Sequence, residues 1–239
     1  SIMKTYQVSE YRAYATTAMR EAKNSQIVLE QIRVRTGIQV KILSNSEQRF
    51  IRYKAIAAKA SEFQKTIQKG TAIVDVGFGS MQASVFDKDS LISTQNLPLG
   101  VLKLRQILTH VKLSAQAEQS LVMELIDNEL LTFRKMYLKD REIKHLIAIG
   151  DPILTMYYKL NGLARSDRLT AEKFNSFFEW MRTKTRAQLE DAFDVNGEYA
   201  SMMFPTVAIY KRMLEVTGAE ILWVPGIRMA DGTAADYGE

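Results

Sequence analysis

The chain has 239 residues, 46% of them apolar and 25% charged, a globular balance with enough length for one large domain or two small ones. It contains no cysteine and only two histidines, which excludes disulfides, thiolate chemistry and cysteine-ligated metals and argues against a histidine-built zinc site or triad. Lysine and arginine number 32 against 27 aspartates and glutamates, an excess that suits an anionic ligand, but they are scattered and not interleaved with aromatics, so no nucleic-acid partner is expected.

In chain order, residues 10–15 read as a strand and 17–36 as a helix that stops at Gly37, a natural residue for a helix end. Residues 38–43 alternate apolar and polar, as a half-buried strand does. A second helix is predicted over 46–68, closed by Gly70. The strand–helix–strand–helix order implies α/β architecture. From Thr71 the pattern changes. Residues 71–76 form a short apolar run fit for a buried strand, and 81–86 and 91–97 complete a β-meander. Helices follow at about 99–109 and 114–137, a buried strand at 144–150, and helices at about 151–160, 170–191 and 198–216. Residues 220–223 form a last strand, with a short helix after Gly226. The expected domain division lies between about Lys65 and Gly70, giving domains over 1–70 and 71–239.

Asp75-Val76-Gly77-Phe78-Gly79-Ser80 carries the most chemistry. Two glycines permit positive φ and remove side chains, so that backbone N–H groups can converge on an anion, and Ser80 adds a hydroxyl donor. Asp75, ending a buried strand, could hold a cation or orient a water. The third glycine of the dinucleotide fingerprint is replaced by Gln82, and the P-loop pattern is absent. A plain hairpin turn with glycines for geometry alone is the other reading of these residues.

The surroundings of this turn resemble the Ppx/GppA phosphatases, in the actin-like ATPase superfamily. Tyr14 to Asn24 is similar to that family's ATSALREAxN segment, Thr36 to Ser44 to TGIxVEIIS, and Asp75 to Ser80 to DIGGGS. Asn96 to Val101 is similar to SLPLGAVRL, and Gly226 to Gly232 to GLREGLLxD. The resemblance implies ribonuclease-H-like α/β domains, with mixed sheets flanked by helices. It implies a Mg²⁺-assisted attack of water on the terminal phosphoanhydride of polyphosphate or guanosine pentaphosphate. Gly77, Gly79 and Ser80 would cradle the phosphoryl group, with Thr16 and Arg20 as further phosphate ligands and Asp75 organising Mg²⁺. For Arg20 and Thr16 the alternatives are a surface ion pair and a helix cap.

Two acidic positions of the family are altered. Its general base falls on Gln48, with Glu47 one residue earlier as a substitute, and a second acidic position falls on Gln82. A carboxamide neither takes a proton from water nor supplies charge to a metal at neutral pH. The alternative is therefore a non-catalytic binder of polyphosphate or nucleotide. The family's first phosphate loop has no counterpart before Tyr11, so the first sheet is expected to lack its founding strands. Arg49, Arg52 and Lys54 could attract polyanions or could form a solvated helix face. Gly150-Asp151, at the superfamily's third glycine turn, also fits plain helix initiation. His110 and His145 read as ordinary histidines, and Met123, Phe133, Met136, Phe177, Phe178 and Trp180 as core or domain-interface packing residues. With no apolar run near about 18 residues and no apolar leader-like segment, a cytoplasmic location without membrane partners is expected, with a homodimer as a further expectation.

Overall fold

The computed structural model describes residues 2–57, 60–111, 113–139, 141–164 and 166–237. The chain divides into two compact units, Ser1–Ile51 and Arg52–Glu239.

The first unit contains α1 (Ile2–Thr5), β1 (Ala13–Ala15), α2 (Thr17–Glu21), α3 (Ser25–Thr36), β2 (Val40–Ile42) and the start of α4 (Asn45–Ala57). Strands β1 and β2 pair in parallel, Ala13 opposite Val40 and Ala15 opposite Ile42, so α2 and α3 form the crossover that a parallel pair requires. The single helix predicted over 17–36 is broken. Ala22 turns extended at φ −72, ψ 125, and the helix restarts at Ser25 after Lys23-Asn24, a pair that favours turns over helix interiors. Gly37 ends α3 in the left-handed region at φ 73, its N–H donating to the Arg33 carbonyl at 2.8 Å.

The second unit begins inside α4 and continues with α5 (Ala60–Ile67); Ala58 and Lys59, within the helix predicted over 46–68, lie outside the described residues. Six strands follow: β3 (Thr71–Val76), β4 (Met81–Asp87), β5 (Ser90–Leu97), β6 (His145–Ile149), β7 (Arg168–Thr170) and β8 (Ile221–Trp223). They form one mixed sheet in the order β5-β4-β3-β6-β8-β7. The meander β3–β4–β5 is antiparallel, β3, β6 and β8 run parallel, and β7 returns antiparallel on β8. The helices are α6 (Val101–Thr109), α7 (Ala115–Phe133), α8 (Asp151–Leu154), α9 (Tyr157–Ala164), α10 (Ala171–Arg182), α11 (Arg186–Phe193), α12 (Gly197–Thr217) and α13 (Met229–Tyr237).

Sequence periodicity ran several of these together. The predicted helix over 114–137 changes to a π-helical turn at Arg134–Leu138, where Leu138 is buried and Met136, expected to pack, is exposed. The one over 170–191 stops at Thr183, and Thr185 then caps α11 in a capping box with Gln188. The one over 151–160 is split between α8 and α9. Strand β7 was not foreseen, because three residues are too few to show a period.

Strand alternation sorts the sheet's two faces. Ala72, Val74, Val76, Leu146, Ala148 and Leu222 join the larger core, with Val122, Ile126 and Leu130 of α7 and Ala208 and Ile209 of α12. Ile73, Ile147, Ile149 and Trp223 face the other way and pack with Ala55 and Ile56 of α4 and Ile67 of α5. Asp75 shares the face of Ile73, so α4 is the element it can meet. Among the described residues no helix is long and apolar enough to cross a membrane.

The turn after β3 is braced by α6. Val101 and Leu102 donate their N–H groups to the Gly77 and Phe78 carbonyls at 3.2 and 2.9 Å. Gly100 approaches the turn so closely that a Cβ there would collide with the Phe78 carbonyl and the Gly79 backbone. Gly100→Ala is therefore expected to destabilise the protein by about 1–3 kcal/mol, the usual cost of overpacking, read as a lower urea midpoint. An unchanged midpoint would contradict this packing.

Candidate functional site

Adjacent parallel strands β3 and β6 end side by side, Asp75 opposite Ile149, and ligands of open α/β sheets gather beyond such carboxyl ends. Asp75 is 7% exposed and Arg52, from α4, is 2% exposed. Arg52 Nε lies 2.9 Å from Asp75 Oδ2, and Arg52 Nη2 reaches Asp151 Oδ2 at 3.3 Å, at the start of α8. Arg52 is thus not on a solvated helix face. Asp75 Oδ1 and Arg52 Nη1, both buried, have no hydrogen-bond partner among the described residues. Burial pushes the Asp75 carboxyl above its ordinary value against the pull of Arg52. Burial alone would lower Arg52, but Asp75 and Asp151 reverse this and raise it. Buried Gln82 stands across the β3–β4 ladder from Asp75, on the same face.

A Cβ on Gly77 would meet the Ser80 carbonyl at 3.0 Å, so space rather than handedness restricts that position. Gly37, Gly150, Gly218 and Gly226 have positive φ, whereas Gly77 and Gly79 do not, a correction to the expected role of φ at the turn. The Gly77 N–H closes the hairpin on the Ser80 carbonyl at 2.9 Å, leaving the Phe78, Gly79 and Ser80 amides without backbone acceptors among the described residues. Gly150, at φ 124, lies so close to β3 that a Cβ would strike the Val76 carbonyl. Tyr210 of α12 donates its hydroxyl to the Ile149 carbonyl at 2.6 Å. Burial, with the nearby Asp75 charge, raises this phenol well above its ordinary value. Tyr210 therefore fixes the strand ends as a neutral donor.

The second unit thus brings together Asp75, Gly77, Gly79 and Ser80, and joins to them Arg52, Gln82 and Asp151. Sequence reasoning left Arg52 open. Its signal was its position at i−3 and i−4 from Ala55 and Ile56, in register with an apolar face where a charge needs a partner.

The other named residues belong to the first unit. Arg20 donates to the Leu43 carbonyl at 2.7 Å and to Thr17 Oγ1 at 2.9 Å, which ties α2 to the end of β2. Thr16 precedes α2 and makes no side-chain capping bond. Gln48 lies in the first turn of α4, its side-chain oxygen without a hydrogen-bond partner among the described residues. Glu47 accepts the Ser44 N–H at 2.9 Å and the Lys41 ammonium at 2.6 Å, while its own N–H donates to Ser44 Oγ at 3.2 Å. Ser44-x-x-Glu47 is a capping box, a pattern present in the sequence and overlooked there.

The donors at Asp75 do not fit a divalent cation. One carboxylate oxygen already faces a guanidinium, and Gln82 offers an amide. No group of three or more His, Cys, Asp or Glu side chains able to hold a metal occurs among the described residues.

Hydrogen bonds from Lys41 and Ser44 lower the Glu47 carboxyl to about 2, which makes it a weak base at neutral pH. A depressed carboxyl contributes stability above its unfolded value and loses it as pH falls toward the folded one. Carbon-detected NMR titration is expected to place the Glu47 midpoint near 2, and Lys41→Ala to raise it. An ordinary glutamate midpoint in the unsubstituted protein would show that the cap does not hold in solution.

Residues 1–224 match the Ppx/GppA phosphatase family. The crystal structure of the Aquifex aeolicus member of that family is 19% identical, with TM-score 0.74, and the match covers 99% of this chain and 76% of that one. An exopolyphosphatase from Cytophaga hutchinsonii is 15% identical with TM-score 0.79, covering 99% and 78%. At such identities the structural likeness speaks for the fold alone. No curated protein gives a significant match. With the family match extending over nearly the whole sequence and the shared fold beneath it, the chain belongs to the Ppx/GppA phosphatase family.

Proposed function

We propose that the protein binds the terminal phosphate of polyphosphate or a guanosine polyphosphate and hydrolyses its phosphoanhydride bond slowly. The observation that carries this reading is the buried, unpartnered Asp75 Oδ1 immediately before a turn whose amides are open. The Phe78, Gly79 and Ser80 N–H groups and the Ser80 hydroxyl would donate to the phosphoryl oxygens. Asp75 Oδ1 would accept a proton from the attacking water. As the water oxygen bonds to phosphorus, the bridging P–O bond breaks; inorganic phosphate leaves, and the shortened chain or nucleotide keeps the bridging oxygen. Slow turnover follows from the engagement of Asp75 Oδ2 by Arg52 and from the amide at Gln82.

A second reading, binding without turnover, is favoured by the same ion pair, since a carboxylate held by a guanidinium is a poorer base. Phosphate release from long-chain polyphosphate and from guanosine pentaphosphate separates the two. Under the first reading release exceeds background, and Asp75→Asn lowers it by about 10²-fold or more, the usual worth of a positioned base. Release unaffected by Asp75→Asn would refute the role of Asp75. Saturable calorimetric binding without release would establish the second reading.

A further inference from the structure

The Arg52–Asp75 pair is built differently from a purely structural salt bridge. A planar guanidinium meets a carboxylate best through two parallel hydrogen bonds. Here Nε contacts Oδ2 at 2.9 Å, Nη2 is turned to Asp151 at 3.3 Å, and Asp151 is about half exposed, at 48%. Nη1 and Oδ1 are left inside with neither a protein acceptor nor a protein donor among the described residues. An unmet charged donor and an unmet charged acceptor in one buried pair are costly as they stand. They suit a ligand that accepts from one and donates to the other, as a phosphate group with its attendant water or hydroxyl does.

The local charge count points the same way. Among the buried groups Asp75 and Arg52 cancel, Gln82, which faces Asp75 across the ladder, adds no charge, and the negative charge of Asp151 sits at a half-exposed position where water screens it. A carboxylate at position 82 would leave a buried net negative charge in need of a metal. With Gln82 in place, a divalent cation at Asp75 would instead be repelled by the adjacent guanidinium, with little water to screen it.

We propose that Arg52 is the site's built-in cation, standing in for a divalent metal, so that phosphate-bearing ligands bind here without one. This rests on the phosphate-binding reading above. Arg52 Nη1 donates to a non-bridging phosphoryl oxygen, and Asp75 holds the guanidinium from behind through Oδ2. Because arginine stays charged throughout the working pH range, the Nη1 donor is present permanently and independently of metal supply.

The test uses the whole protein and sodium tripolyphosphate as probe, titrated calorimetrically in EDTA and again in Mg²⁺. The unsubstituted protein is expected to saturate in EDTA with an affinity close to that in Mg²⁺. Arg52→Met, checked for folding by circular dichroism, is expected to lose about tenfold or more in EDTA, the worth of a charge-assisted hydrogen bond. Saturation by the unsubstituted protein only in Mg²⁺ overturns the proposal, as does an Arg52→Met variant that binds normally in EDTA.

Absence of tripolyphosphate binding under either condition would instead defeat the phosphate-binding reading. The cation question then remains readable without ligand, by Mn²⁺ titration followed by electron paramagnetic resonance. A Mn²⁺ site in the unsubstituted protein that Asp75→Asn abolishes overturns the proposal, and the absence of any Asp75-dependent site sustains its claim that Arg52 occupies the place of a metal. Neither this measurement nor the first titration needs an Arg52 variant, so both hold if Arg52→Met fails to fold.

Discussion

Asp75 ends a strand in which every residue is buried, and a carboxylate can stay ionised there only if an opposite charge comes to it. Arg52 does so at 2.9 Å. Removing one partner of such a pair costs about 3–5 kcal/mol, because the other is left buried and uncompensated. The helix that carries Arg52 is therefore held to the sheet by more than its apolar contacts. Ala55 and Ile56, one turn further on, pack on Ile73 and Ile147, so packing sets the helix position and the charge pair selects its rotation.

The pair is useful because the backbone around it is rigid. Three side-chain decisions hold the ends of β3 and β6: Gly100 lets α6 abut the turn, Gly150 lets the exit of β6 touch Val76, and Tyr210 hydrogen-bonds the Ile149 carbonyl. Two of these depend on the absence of a side chain. The Gly77 and Phe78 carbonyls are spent on α6, which leaves the Phe78, Gly79 and Ser80 amides without backbone acceptors among the described residues. On the proposed function, amides so arranged would favour an anion through the backbone alone.

Much of this was legible in the sequence. The run 71–76 and the alternation after Ser80 gave the meander, and the pattern of motifs singled out Asp75 and the glycine turn that the structure sets at the end of β3. Other features were illegible for definite reasons. An arginine in a helix that also bears Arg49 and Lys54 looks solvated until the strand it meets is known. Thr185 and Gln188 form a capping box within a stretch whose apolar spacing continues across the break, so periodicity joined α10 to α11. Glu47 was weighed as a base because of its place beside Gln48, although its spacing from Ser44 already marked it as part of a cap.

The altered acidic position of the second unit, Gln82, makes physical sense beside Asp75. Two buried carboxylates on one face demand a strong counter-charge, ordinarily a metal. One carboxylate demands only one cation, and a guanidinium fixed on α4 meets that demand with no exchange and no search for an ion. The consequence reaches the chemistry. A metal can both neutralise phosphate and activate water, whereas a guanidinium can neutralise and orient but cannot lower the pKa of water by binding it. On the proposal above, a site that uses Arg52 in place of a metal would keep recognition of phosphate and give up rate.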